Sequence, residues 1–375
     1  MPRLILPQTR ARLNSTASLT MSMTPRHHLP SLFGVASPAS LGKANEHGVQ
    51  VMGKTTYRDA LRQALSDSMT TDPNVVLIGE EVGRYGGAYG VTKGLIDEFG
   101  PDRVIDTPIS EPSIVGAAVG AAMSGLRPVA ELMYVDFIGM TMDQLANQAA
   151  KIRYMFGGQI GVPMILRTQG GTGRSAGAQH SQSLEAYVMH TPGLRLAMPA
   201  TVSDAYHLLR QSLAQPDPVV FIEHKALYAT SGELDDQTPV APWGKAHVPR
   251  QGDDLVIVTY SRQLHYAISA ADTLAKDGIE ATIIDLRTLN PLDIDTIRTH
   301  VERCGHAMVV SEGVMTAGVA AELAARISEE CFDFLENPVI RIAGEDIPIS
   351  VSPLLETNSV PTPELIVDAA RMMRS

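Results

Sequence analysis

The chain has 375 residues, with 41 acidic against 30 basic side chains, a net charge of −11, 44% hydrophobic residues, 31 Gly and 24 Pro. That length allows two domains with full cores and the composition suits a turn-rich α/β protein, while the negative charge argues against nucleic acid or an anionic membrane as partner. Two cysteines, Cys304 and Cys331, give neither a metal-site spacing nor a disulfide framework, which suits a reducing compartment, and no apolar run reaches the ~18 residues of a membrane span.

The first 45 residues carry five Lys/Arg, ten Ser/Thr and five Pro, with no acidic residue before Glu46. This is the composition of an organellar transit peptide, although a start placed too early, ahead of Met52, reads the same way. Residues 1–52 are therefore set apart from the fold as a leader. The first reading implies a mitochondrial matrix protein and the second a cytoplasmic one.

From Thr55 the pattern is regular. Tyr57, Ala60, Leu61, Ala64, Leu65 and Met69 mark one face of a helix, and residues 75–78 a buried strand closed by Gly79. The loop EEVGRYGGAYG leads to a helix over 91–99 and a strand over 103–109. Strand 127–134, a long helix over 140–156, strand 162–168, a helix over 183–190, strand 194–198, a helix opening with Thr201 and Asp204, and strand 219–223 complete six strands alternating with helices. Continuously apolar strands in that alternation predict a parallel, doubly wound sheet covered on both faces. Residues 231–252 lose periodicity and read as a linker; the loss begins near 225. A smaller α/β domain follows over 253–375, with strands near 255–260, 281–286, 307–311 and 338–342 and helices near 263–277, 293–303, 317–330 and 363–373.

Between the strand over 103–109 and the next one lies VIDTPISEPSIVGAAVGAAMSG, a single carboxylate, Glu111, followed by a helix of small apolar residues. Gly116, Gly120 and Gly125 lower the intrinsic stability of that helix, so it predicts close packing against other backbone. Glu111 would then lie in a dry place at a strand end, poised for proton exchange with a ligand; as a helix-start residue it could equally satisfy free backbone donors.

Two motifs occupy the glycine-rich loop after residue 168. Gly173-Arg174-Ser175-Ala176-Gly177 fits the G-x-S-x-G elbow of serine hydrolases, but Gly170, Gly171 and Thr172 separate it from the strand. The stretch 171–176 also fits G-x-G-x-x-A, but the next strand ends in Pro199, not in the acidic residue that would hold a ribose. A mobile loop closing over a ligand uses the same glycines. His180, just beyond, can exchange protons near neutrality or serve as a structural residue. Glu80-Glu81 ends the first strand, where open α/β sheets bind ligands, and Phe137 offers either a stacking surface for a flat ring or core packing.

Taken together, GEEVGRYGGAYGVTKGL, RVIDTPISE, GAAMSGLRPVAELMYVDF, NQAAKIRYMFGG, SAGAQHSQSLEAYVMHTPGL and DPVVFIEHKALY resemble the β subunits of the thiamine-diphosphate-dependent decarboxylating component of 2-oxo acid dehydrogenase complexes, in the transketolase-like superfamily. The resemblance covers residues 54–372. It implies a pyrimidine-binding domain over 53–230 and a transketolase-type C-terminal domain over 253–375. It also implies that Glu111 hydrogen-bonds the aminopyrimidine of the coenzyme to activate its thiazolium carbon, that Glu80 joins a proton relay, that Phe137 stacks, and that His180 assists acyl transfer to a lipoyl arm. Pro112-Ser113 depart from the family pattern beside Glu111. A potassium site is implied around Met164, Ser212, Leu213, Gln215 and Asp217, with Gln215 in place of a usual carboxylate.

The superfamily's diphosphate-binding GDG is missing; Gly252-Asp253-Asp254 only approaches it. The coenzyme's diphosphate and Mg²⁺ would then be held by an α subunit, in an assembly of two α and two β chains that works with a lipoyl acyltransferase core. Pyruvate is the first substrate implied, acetoin the second and a branched-chain 2-oxo acid the third. The rival readings are a noncatalytic α/β scaffold subunit and a hydrolase using Ser175.

Overall fold

The computed structural model describes residues 53–234 and 240–374. The leader expected over 1–52 lies outside them. No helix among the described residues is long and apolar enough to cross a membrane.

A seven-stranded sheet forms the larger body, in the order Thr288–Asn290, Arg195–Ala197, Val219–His224, Ile165–Gly170, Arg127–Leu132, Val75–Gly79, Val104–Asp106. Six of these strands are parallel, as the alternation of buried strands and helices demands. Helices start where short polar side chains offer an acceptor: Thr56 takes the Asp59 N–H at 3.1 Å and Thr201 the Asp204 N–H at 3.0 Å. The helices Tyr57–Thr71 and Val202–Leu213 pack on one another over this sheet through Leu61, Leu65, Ala205 and Leu209, all buried.

The second sheet has five strands, ordered Ile340–Gly344, Ala307–Val314, Leu255–Thr259, Ala281–Asp285, His247–Arg250. The segment read as a linker contributes its last strand, antiparallel at the edge, and another part, Ser231–Glu233, pairs antiparallel with Lys54–Thr56. Both stretches are exposed on alternate residues and lack the apolar run by which a buried strand is recognised. The boundary is crossed a second time: Thr288–Asn290, from the C-terminal half, adds the antiparallel edge strand of the large sheet. Buried Arg287 locks that crossing, donating from Nε to Asp204 at 2.7 Å and to the carbonyls of Ala241 and Lys245. One hydrophobic cluster runs from Val115 and Leu166 through to Val256, Val258 and Leu323, so the two sheets share core.

The long helix expected over 140–156 is divided. A 3₁₀ turn, Val135–Thr141, leads into a π-helical stretch, Asp143–Ala149, closed by the Ala150 N–H reaching Leu145 five residues back, and then Ala150–Met155 is α-helical. The helix Glu111–Met123 buries Ile114, Val115, Ala118, Val119 and Ala122, but its Gly116–Gly120 face meets no backbone among the described residues. A Cβ at Gly120 would have nothing within 4 Å, and at Gly116 only Gln144 at 3.5 Å. The close backbone packing expected of that helix is absent among the described residues.

Candidate active site

Because the strands are parallel, their carboxyl ends share one edge of the sheet, and the expected site residues follow four neighbouring strands along it. Glu80 follows Val75–Gly79, and Glu111 follows Val104–Asp106 after a short turn. Phe137 follows Arg127–Leu132 and His180 follows Ile165–Gly170. In the chain, the strand after Val75–Gly79 lies on one side of it and the next on the other, which opens a crevice at this edge.

Glu80 and Glu111 lie within electrostatic reach of one another. Partial burial, then the Glu111 charge, then that of Glu81 raise the Glu80 carboxyl above the ordinary carboxylate range. Glu111 is the first residue of its helix, the helix-start position that one reading gave it, with Ser110 at the cap; the Ser110 hydroxyl makes no cap bond and donates to Ser113 at 2.8 Å instead. Glu111 is half-buried, not sealed in the dry place that the small apolar helix predicts.

The other end of the edge is aromatic. The His180 ring meets Tyr134 edge-on at 4.8 Å between centroids and Phe137 at 5.6 Å. Tyr134 has φ 75°, a left-handed backbone held by its N–H donating to Gln169 Oε1 at 3.1 Å. Asp136 accepts the Gln182 N–H and its side-chain amide, each at 3.0 Å, and so fixes the turn that carries His180. Lys225 donates to the His180 carbonyl from the end of the next strand.

The glycine-rich loop is pinned by the C-terminal half. Glu312 accepts from the N–H and hydroxyl of Thr172 at 2.6 and 2.8 Å, and Glu356 accepts from the N–H groups of Gly173 and Ser175 at 2.9 and 3.0 Å. His224 takes the Ala226 N–H on Nδ1, which leaves the proton on Nε2, aimed at Glu312 Oε2 at 2.9 Å. Burial pushes the Glu312 carboxyl up, but the His224 Nε2–H, Arg262 and the Thr172 amide together hold it far below the ordinary range. A side chain at Gly171, where φ is +83°, would strike the His224 ring at 2.1 Å. These contacts replace the mobile lid expected of so many glycines. They also count against the hydrolase reading, because the Ser175 hydroxyl bonds at 3.3 Å to a Glu356 carboxylate already taken up by the Gly173 and Ser175 N–H groups, and among the described residues no histidine bonds to it. The dinucleotide reading falls too, since the next helix, Glu185–Met189, opens well after the glycines.

Beneath the edge lies a buried ion cluster that sequence periodicity did not single out. Arg167 donates to both oxygens of Glu223 at 2.6 and 2.8 Å and to Glu131 at 2.7 Å, and the Tyr228 hydroxyl completes Glu223 at 2.6 Å. Tyr228 in turn stacks on Tyr89 of the loop after Val75–Gly79, with ring centroids 4.6 Å apart.

The polar groups of the residues named for potassium already have partners within the chain. Asp217 is taken by Arg153 and Arg195, the Leu213 carbonyl accepts from Arg127 at 2.6 Å, and the Ser212 hydroxyl bonds back to Leu208. Gln215 donates to the Gln211 carbonyl, and the Met164 carbonyl is used by Val219. Among the described residues no cluster of three or more His, Cys, Asp or Glu could hold a metal. Gly252-Asp253-Asp254 is structural: Asp253 pairs with Arg303 and Asp254 with Arg374.

Residues 53–230 match the transketolase pyrimidine-binding domain and residues 244–366 the transketolase C-terminal domain. The chain is 44% identical over 320 residues to the mitochondrial pyruvate dehydrogenase E1 component subunit beta-2 of Oryza sativa subsp. japonica, spanning 84% of this chain and 85% of that protein. It is 43% identical over 328 residues to the beta subunit of the acetoin:2,6-dichlorophenolindophenol oxidoreductase of Cupriavidus necator, spanning 85% of this chain and 97% of that one. Among solved structures, a split-gene transketolase described as an inactive beta4 tetramer matches 84% of this chain and 97% of its own with a TM-score of 0.71 at 19% identity, a likeness of fold. The chain thus belongs to the transketolase-type β subunits of the 2-oxo acid dehydrogenase family.

Proposed function

We propose that this chain is the β subunit of a pyruvate dehydrogenase decarboxylating component and carries the activating and acyl-transferring half of a shared thiamine diphosphate site. The observation that carries the reading is the row Glu111, Glu80, Phe137 and His180 along one sheet edge, in a chain 44% identical to a pyruvate dehydrogenase subunit. The donor set suits the pyrimidine half of the coenzyme: an acid pair with one carboxyl shifted toward protonation, and an aromatic face two strands away. Bound there, thiamine diphosphate supplies the electron sink for loss of CO₂ from a 2-oxo acid.

In this reading Glu111 would donate a hydrogen bond from its carboxyl to the ring nitrogen of the pyrimidine, Glu80 would join a hydrogen-bond relay beside it, and Phe137 would stack on the ring. His180 exchanges a proton at its imidazole during transfer of the acyl group to a lipoyl arm. The aspartates nearest to a diphosphate motif are committed to Arg303 and Arg374, so Mg²⁺ and the diphosphate fall to an α subunit, in a pairing of two α and two β chains that serves a lipoyl acyltransferase core. A cytoplasmic setting follows if the leader is not a transit peptide.

Acetoin is the second reading, favoured by the oxidoreductase subunit that matches over 97% of its own length. The test is to reconstitute the chain with its α partner and assay pyruvate, acetoin and a branched 2-oxo acid in parallel. Pyruvate turnover at least tenfold above the others is expected, with none from the chain alone. Decarboxylation by the isolated chain with Mg²⁺ and coenzyme, or a preference for acetoin, would overturn the corresponding part.

A further inference from the structure

Lys225 ends the run FIEHK and is fully buried. Burying an ammonium is costly, and an apolar side chain of similar length would fill the same space without that cost. Its geometry gives the reason for a charge. Nζ donates to the main-chain carbonyl of His180 and lies 5.5 Å from the centroid of the Tyr134 ring, whose edge touches the His180 imidazole.

Burial weakens the hold of Lys225 on its proton, and the carboxylates that oppose this are Asp136, Glu356 and Glu312. Those three are also the groups that anchor the loop at Gln182, Ser175 and Thr172. Lys225, with Arg174 and Arg262 beside it, thus sits among the anchors of the segment 172–182 and bonds to the main chain of His180.

We infer that Lys225 is a positioning residue for acyl transfer, fixing the His180 imidazole through its carbonyl and through the Tyr134 ring. This rests on the reading of His180 given under the proposed function. The side chain touches neither substrate nor coenzyme in this role.

The test uses the chain reconstituted with its α partner and reads two rates on the same preparation. One is oxidation of the 2-oxo acid with 2,6-dichlorophenolindophenol as electron acceptor, which bypasses the lipoyl arm; the other is acylation of a free lipoyl domain. Lys225→Met is expected to lower the ratio of lipoyl acylation to dye reduction at least tenfold. Lys225→Arg, which keeps a charged donor, should recover part of it, and Tyr134→Leu should lower it in the same direction. A general folding defect lowers both rates together and leaves the ratio alone.

A ratio within twofold of wild type in both Lys225→Met and Tyr134→Leu, while His180→Ala lowers it, overturns the role of Lys225 and spares that of His180. If His180→Ala itself leaves the ratio unchanged, the acyl-transfer reading fails and this inference fails with it. Should Lys225→Met not assemble, Tyr134→Leu carries the same comparison.

Discussion

At the His180 end of the sheet edge the anchors come from this chain: Asp136 below the turn, Lys225 on its carbonyl, and Glu312 and Glu356 reaching across from the C-terminal half. At the Glu80–Glu111 end the two half-buried carboxyls lie within electrostatic reach of one another, and the glycine face of the adjoining helix stands open at Gly120. The difference teaches that the His180 side is tied down within the chain, while the acid side is left with few partners among the described residues. A group that must hold one geometry is tied by several buried charge-assisted bonds; a carboxyl that must exchange protons is left with few.

The sharpest way to break that contrast is Glu111→Gln. It keeps the shape and removes the acid, and turnover of the reconstituted assembly should fall about 100-fold or more, the scale of general acid–base catalysis, with coenzyme binding retained in a titration. Turnover within a few-fold of wild type would return the chain to the scaffold reading.

Next in size is Arg167→Met, which leaves Glu131 and Glu223 buried without their cation. Destabilisation of about 3–5 kcal/mol is expected by denaturant unfolding, because a broken buried pair costs far more than an absent one.

Glu312→Gln should act on the pinned end and show its sign in pH. The Glu312 carboxyl is held far below the ordinary value in the folded chain, so the stability it contributes is present above its unfolded pKa of about 4.3 and fades as pH falls toward the folded value. Melting temperatures measured between neutral pH and pH 3 should find wild type ahead of Glu312→Gln at neutral pH, with the gap closing on acidification.

The smallest effect belongs to Glu80→Gln. Its carboxyl is raised in the folded chain, so its contribution to stability is present below the unfolded pKa and is lost as pH rises through the raised one. The variant should therefore melt at or slightly above wild type at neutral pH, while activity drops by less than in Glu111→Gln.

Much of this was legible in the chain itself. Apolar strands such as 75–78 and 219–223 alternate with helices that open on Thr56 and Thr201, and a parallel sheet aligns whatever follows those strands, so Glu80, Glu111, Phe137 and His180 could be named from the sequence. Glu312 and Glu356 could not: each lies more than 130 residues from the loop it holds, and nothing in its own neighbourhood marks it. Asp136, Gln182 and Lys225 stood inside recognised passages, but their roles depend on which strands become neighbours. The strands 231–233 and 247–250 were missed because edge strands carry no apolar run.

The sequence by itself determined the family, through contiguous motifs that resemble it, and the main alternation of buried strands and helices, through local periodicity; it also supplied the candidate side chains. Only the tertiary structure decided that the glycine loop is pinned, that Asp217 belongs to arginines and that one half of the chain threads a strand into the sheet of the other. The physical reason is that a buried charge takes whichever partner the packing brings within hydrogen-bond reach, and sequence separation says nothing about which one that will be.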